Sequence, residues 1–184
     1  MFKKYVYSFL TALVVILAAP ANATTVTFNE ASAPSGQLDG TSFYQTYGIA
    51  NFSNAVRFGS DPRLLADGYG ITNSPAAVAT VYFVSQVSDL TFNWASYTTG
   101  IQFSAQIYDS SNLLLATFES SADVTYGSFL FDLSGIDHFS FSSTGGSSGA
   151  AIDTLTFNNV PEPGVLPLLC LGLVALVAVR RRKS

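Results

Sequence analysis

The sequence predicts an all-β protein, a jelly-roll-like β-sandwich of about nine or ten strands, flanked by an N-terminal signal peptide and a single C-terminal transmembrane helix. Three observations carry the fold class. The stretch from Thr24 to Val160 is rich in Phe, Tyr, Val, Thr and Ser, residues that suit a pleated, half-buried surface. Turn signals punctuate it at short intervals: Ser35-Gly36, Asp39-Gly40, Asp61-Pro62, Asp67-Gly68, Asn73-Ser74-Pro75, Thr99-Gly100, Asp109 to Asn112, Gly127, Ser134-Gly135 and Gly145-Gly146. No stretch of it sustains a helical period.

Residues 1–23 read as a secretory signal peptide. Lys3 and Lys4 supply the charged start, and an apolar run follows from Val6 to Ala19. Ala21-Asn22-Ala23 gives the small-x-small pattern that signal peptidase accepts, so cleavage leaves Thr24 as the new N-terminus. The domain boundaries expected are 1–23, 24–159 for the extracytoplasmic domain, and 160–184 for the tail.

The first strand spans Thr25 to Glu30, with Val26, Phe28 and Glu30 on one face. Alternation then marks Ala79, Val81 and Phe83; Leu90, Phe92 and Trp94; Ile101, Phe103, Ala105 and Ile107; Phe129 and Phe131; and Phe139 and Phe141. Trp94 is read as core. Leu113 to Phe118 is apolar on both faces and reads as a strand buried on both sides. Short connections predict a meander through 90–94, 101–108 and 113–119. Ser142 to Gly149 reads as a flexible loop. The last strand, Ile152 to Phe157, carries Asp153, Leu155 and Phe157 on one face.

The first and last strands thus each place a carboxylate on an apolar face. Antiparallel pairing with Phe28 opposite Leu155 would set Glu30 opposite Asp153. Two such carboxylates cannot both stay ionised on a buried face unless a cation joins them. Calcium, which takes several oxygen ligands including carbonyls, is the natural candidate, with Asp39 in the following loop as a further ligand. The pair Glu30 and Asp153 resembles the structural calcium site of many carbohydrate-binding β-sandwiches, in which acidic residues of the first and last strands clasp the domain's ends. The alternative is a solvated Glu30 beyond the strand and an Asp153 bonded to backbone amides.

Charge excludes some functions. Between Thr24 and Val160 eleven carboxylates face two cations, Arg57 and Arg63, the opposite of a nucleic-acid-binding balance. One Cys and one His exclude a disulfide framework and a multi-Cys zinc site. Catalytic signatures are missing: there is no Gly-x-Ser-x-Gly elbow, no phosphate loop, and no Lys in the mature domain. His138, the sole imidazole, reads as a strand-edge residue. The chain is therefore expected not to be an enzyme. Tyr44, Tyr47, Tyr69, Tyr97, Tyr108 and Tyr126 lie in or near turns, where aromatics could stack on sugar rings.

At the C-terminus, Val160-Pro161-Glu162-Pro163-Gly164 precedes an apolar run from Val165 to Val179, then Arg180-Arg181-Arg182-Lys183. The prolines make the first segment an extended linker. The run spans roughly 22 Å as a helix, near the lower limit for a bilayer. The terminal cations are expected to stay cytoplasmic. In order, spacing and position, this tail resembles the PEP-CTERM sorting signal of Gram-negative bacteria. The resemblance implies export across the inner membrane, a membrane tether before processing, cleavage by an exosortase, and a final place at the cell surface or in the extracellular matrix. It also implies a structural or adhesive role in exopolysaccharide or biofilm. Similar tails have been labelled as ice-binding protein C-termini, a label for the tail alone. The second functional reading is a calcium-dependent carbohydrate-binding module.

Overall fold

One long strand organises the fold. In the computed structural model, which describes residues 22–59, 70–73, 78–96, 100, 102–122, 125–144 and 150–160, the strand Ala79–Ser96 belongs to two sheets at once. In chain order the strands are β1 (Ala23–Val26), β2 (Gly36–Gln37), β3 (Ile49–Ser53), β4 (Ala55–Phe58), β5 (Gly70–Asn73), β6 (Ala79–Ser96), β7 (Gln102–Tyr108), β8 (Leu114–Glu119), β9 (Tyr126–Phe131), β10 (Ile136–Thr144) and β11 (Ala150–Asn159). A 3-10 turn, Phe43–Tyr47, precedes β3.

The first half of β6 lies between β3 and β10, and the sheet continues through β7 to β8. The second half lies between β9 and β11, and that sheet continues from β11 to β1 and β5, then to β4 and β2. All pairings are antiparallel. The two sheets pack face to face as a β-sandwich. Phe92 and Trp94 of the second half of β6 meet Phe103 of β7 at ring-centroid distances of 5.6 and 5.3 Å. Phe118 of β8 meets Phe129 of β9 at 4.1 Å, which closes one side of the sandwich.

Most of the alternation was legible. Val81, Leu90, Phe92, Phe103, Ala105, Ile107, Phe139 and Phe141 are buried, and so is Trp94. Trp94 sits against Gly127 on β9, where an added Cβ would lie 3.1 Å from the indole, so a larger residue there would press the ring out of place by a few tenths of an ångström.

Several expectations need correction. The meander is broken: β7 pairs with β8, but β10 stands between β6 and β7. The end of β6 pairs in one sheet and β7 in the other, so the two do not form a hairpin. β8 is an edge strand, and Leu113 and Leu114 are exposed where burial on both sides was expected. Residues 142–144 extend β10 instead of opening a loop, while 145–149 lie outside the described residues. Also outside them are Ala21, Tyr69, Tyr97, Ile101, the sorting residues Pro161, Glu162 and Pro163, the apolar run 165–179, and Arg180 to Lys183. Among the described residues no helix is long and apolar enough to cross a membrane.

β6 changes direction near Asp89, which adopts a left-handed φ of 52°. Asp tolerates that conformation better than most residues. Its carboxylate accepts hydrogen bonds from Asn158 Nδ2 at 2.8 Å and Ser88 Oγ at 2.9 Å. These bonds, Asn158 foremost, hold the Asp89 carboxyl below its ordinary value of 3.8. A lowered folded value stabilises the fold above the unfolded pKa, and the gain is lost as pH falls through the folded value. Asp89→Asn keeps the backbone preference and removes the charge. The melting temperature of the native chain should therefore exceed that of the variant near neutrality, and the gap should shrink as pH drops below about 4. A gap independent of pH would remove the charge from this account.

Candidate functional site

The carboxylates expected to share a cation are placed by a different register. β1 does pair antiparallel with β11, but Val26 stands opposite Leu155 and Thr24 opposite Phe157. The strand ends at Val26, and Phe28 turns with a left-handed φ of 61°. Phe28 thereby reaches the core from a turn, where it packs on Tyr44 at 5.6 Å and Phe52 at 6.5 Å. Strand pairing therefore does not set Glu30 opposite Asp153.

Glu30 instead accepts the Thr27 amide at 3.2 Å and the Tyr44 hydroxyl at 3.3 Å. Burial, then the neighbouring Glu30 carboxylate, push the Tyr44 hydroxyl far above the ordinary phenol range. Asp39 accepts the Ala55 amide at 3.3 Å and so fastens its turn to β4. Asp153 is 1% exposed and lies where β11 bulges, between the Ile152–Trp94 and Leu155–Phe92 pairs. Thr154 Oγ1 donates to it at 3.4 Å. Among the described residues no three His, Cys, Asp or Glu side chains gather in a way that could hold a metal.

A cation does gather backbone carbonyls after the first strand, and it is a guanidinium. Arg57 on β4 donates from Nε to the Phe28 carbonyl, and from Nη1 to Ala33 O at 3.1 Å and Pro34 O at 3.4 Å. Five fixed donors suit Arg to several carbonyls at once.

The second cluster lies on the outer face of the sheet β3–β6–β10–β7–β8. Pairing aligns its side chains in rows. One row runs Asn51, Tyr82, His138, Tyr108, Leu114. The next runs Ser53, Thr80, Ser140, Gln106, Thr117, and a third holds Ser142, Ser104 and Glu119. The alternate residues Val81, Phe139, Ile107, Phe141 and Ala105 fill the core, which assigns these rows to the outside.

His138 is sandwiched in its row. Its ring stacks on Tyr108 at 5.0 Å and 11°, and lies 5.3 Å from Tyr82 at 31°. Its Nδ1 is 3.0 Å from Asp137 Oδ2. The Tyr108 hydroxyl donates to Gln106 Oε1 at 2.7 Å. His138 stands on an interior strand of the sheet, not at an edge, and is 9% exposed although it faces outward. Of the tyrosines singled out in the sequence, Tyr44 is core, Tyr47 packs against it, and Tyr126 is exposed on the other sheet. Among the described ones only Tyr108 joins the row. Tyr82, not among those tyrosines, lies in an alternating strand. Its position between Val81 and Phe83 was the signal that it stands on the outer face.

The described unit, Asn22–Val160, is thus a β-sandwich whose chain continues into a C-terminal tail. That tail is a PEP-CTERM protein-sorting motif, matched over residues 159–183, and it implies processing by an exosortase. No curated protein matches the chain. Among solved structures, the chain is similar to a point mutant of CBM29-2, a family 29 carbohydrate-binding module, at 14% identity and TM-score 0.43, covering 76% of this chain and 93% of that one. It is also similar to the CBM36-1 domain of a multidomain xylanase from the hindgut metagenome of Trinervitermes trinervoides, at 13% identity and TM-score 0.42, covering 77% and 100%. A third is TmCBM61 in complex with β-1,4-galactotriose, at 9% identity and TM-score 0.39, covering 63% and 94%.

Proposed function

We propose that this is an exported surface or extracellular-matrix protein with a structural or adhesive role in the exopolysaccharide layer of a biofilm. The sorting motif carries the reading. Signal peptidase cuts after Ala23, the tail holds the chain in the inner membrane with its cations inside, and exosortase processing passes the domain on to the cell surface or matrix. Charge supports the setting. The stretch 24–160 has no Lys and is strongly acidic, which keeps a protein soluble among polymers and away from nucleic acid.

Replacing Pro161, Glu162 and Pro163 together by Ala tests this. In cell fractions the native chain is expected at the surface or in the matrix. The triple variant is expected to stay in the inner membrane with its tail uncut. An unchanged distribution would remove the motif from the sorting step.

The second reading, a calcium-dependent carbohydrate-binding module, is favoured by one observation, the burial of Asp153 in a bulge of the last strand. It requires Asp153, Glu30 and Asp39 to serve one ion.

A further inference from the structure

We infer that the outer face of the sheet β3–β6–β10–β7–β8 is the adhesive surface, and that its ligand is a neutral polysaccharide chain. The inference rests on the proposed role among exopolysaccharides and names the site and ligand class for it.

The face is amphipathic in the way a sugar chain is. Tyr82, His138 and Tyr108 form a ridge across three neighbouring strands, roughly 10 Å at the usual strand spacing. Beside it runs a floor of short hydroxyls and one amide, Ser53, Thr80, Gln106 and Thr117, on either side of the buried Ser140. Sugar rings offer apolar C–H faces to aromatics and hydroxyl edges to donors and acceptors such as these.

Electrostatics selects among polymers. His138 is the sole group on these rows able to carry positive charge, and it is paired with Asp137; Glu119 adds a second carboxylate. A uronate or phosphate polymer would meet like charge here, so a neutral chain fits. A protein partner fits less well. Interfaces are built around a desolvated aromatic or aliphatic anchor, whereas the middle row of this face is hydroxyls.

The ridge is also held ready. The stack, the Asp137–His138 bond and the Tyr108–Gln106 bond fix the rings before any ligand arrives. Ordering them on binding then costs little entropy. Tyr82 remains 36% exposed and Leu114 47%, so the row is open to solvent on both sides of His138.

The compact unit Asn22–Val160 contains the buried core of the described residues, so residues 24–160 can be tested alone as a domain. The assay is native-gel retardation in hydroxyethylcellulose, mixed-linkage β-glucan and galactomannan, with alginate as the anionic polymer. At least one neutral gel is expected to retard the domain. Tyr82→Ala and Tyr108→Ala should each weaken that binding roughly tenfold, the worth of about 1.4 kcal/mol of aromatic contact. Thr117→Arg, at an outward-facing position that leaves the core untouched, should weaken it as well by obstructing the floor. Leu130→Ala, on the other sheet, should not change it.

Retardation by no neutral polymer overturns the inference. So does retardation that survives Tyr108→Ala and Thr117→Arg, or that is strongest in alginate. Self-association without polymer that Thr117→Arg abolishes would make the face an interface between copies, and also overturns it. Normal sorting of the native chain in cell fractions alongside any of these results would leave the proposed role standing, so the two failures are distinguishable.

Discussion

Phe92→Ala is expected to cost about 3–5 kcal/mol, the largest loss from any single truncation in the domain. Phe92 is fully buried on β6 and touches rings from every side of the sandwich. It stacks on Phe139 of β10 at 5.9 Å and 9°, and meets Phe103 of β7, Phe131 of β9 and Phe118 of β8 at 5.6, 5.9 and 6.3 Å. Those partners lie in both sheets, so the cavity left by Ala opens between the layers, where rigid strands cannot collapse into it. Domains of this size are stable by only about 5–15 kcal/mol. The melting temperature of the 24–160 domain should therefore fall by roughly 10 °C or more. Val84→Ala, exposed on the same strand, should change it by at most about 1 °C. Near-identical shifts in the two variants would show that the layers are held elsewhere.

The same cluster explains what the sequence could reveal. Alternation on β6, β7 and β10 is a local property, and it placed Phe92, Trp94, Phe103, Phe139 and Phe141 inside. Which strands pair is not local. The long β6 serves two sheets because its partners change near the left-handed Asp89, and nothing in Leu90, Phe92 and Trp94 announces that the next strand belongs to the other layer. Edge position is equally invisible: Leu113 and Leu114 look like a doubly buried strand until β8 is known to be last in its sheet. The site followed the same division. The tail was readable because its motif is contiguous. The Tyr82–His138–Tyr108 row was not, because its members lie on three strands far apart in the chain and are joined only by register. Strand pairing does not set Glu30 opposite Asp153 for two reasons: Val26 rather than Phe28 stands opposite Leu155, and the left-handed Phe28 lies beyond the end of the strand.

Arg57→Ala should also be strongly damaging, at about 2–4 kcal/mol, because hydrogen bonds from a charged donor contribute about 1.5–3 kcal/mol each and are not additive. The guanidinium binds the carbonyls of Phe28, Ala33 and Pro34. It thereby offsets the left-handed conformation of Phe28, a strain of about 1–3 kcal/mol for a bulky residue. Without it, the turn can relax and withdraw Phe28 from its contacts with Tyr44 and Phe52. Arg57→Lys should recover only part of the loss, since one ammonium cannot reach three carbonyls with fixed donors. The experiment also weighs the two cations against each other. If Arg57 is the clasp, the native domain should melt at the same temperature in calcium and in EDTA, and Arg57→Ala should be equally destabilised in both. If calcium instead raises the native melting temperature by several degrees, and Asp153→Ala abolishes that rise, the metal shares the clasp and the calcium-dependent reading gains its ion. A guanidinium bonded to the carbonyls of Phe28, Ala33 and Pro34 already supplies a positive charge and fixed donors to this turn, which argues for the first result.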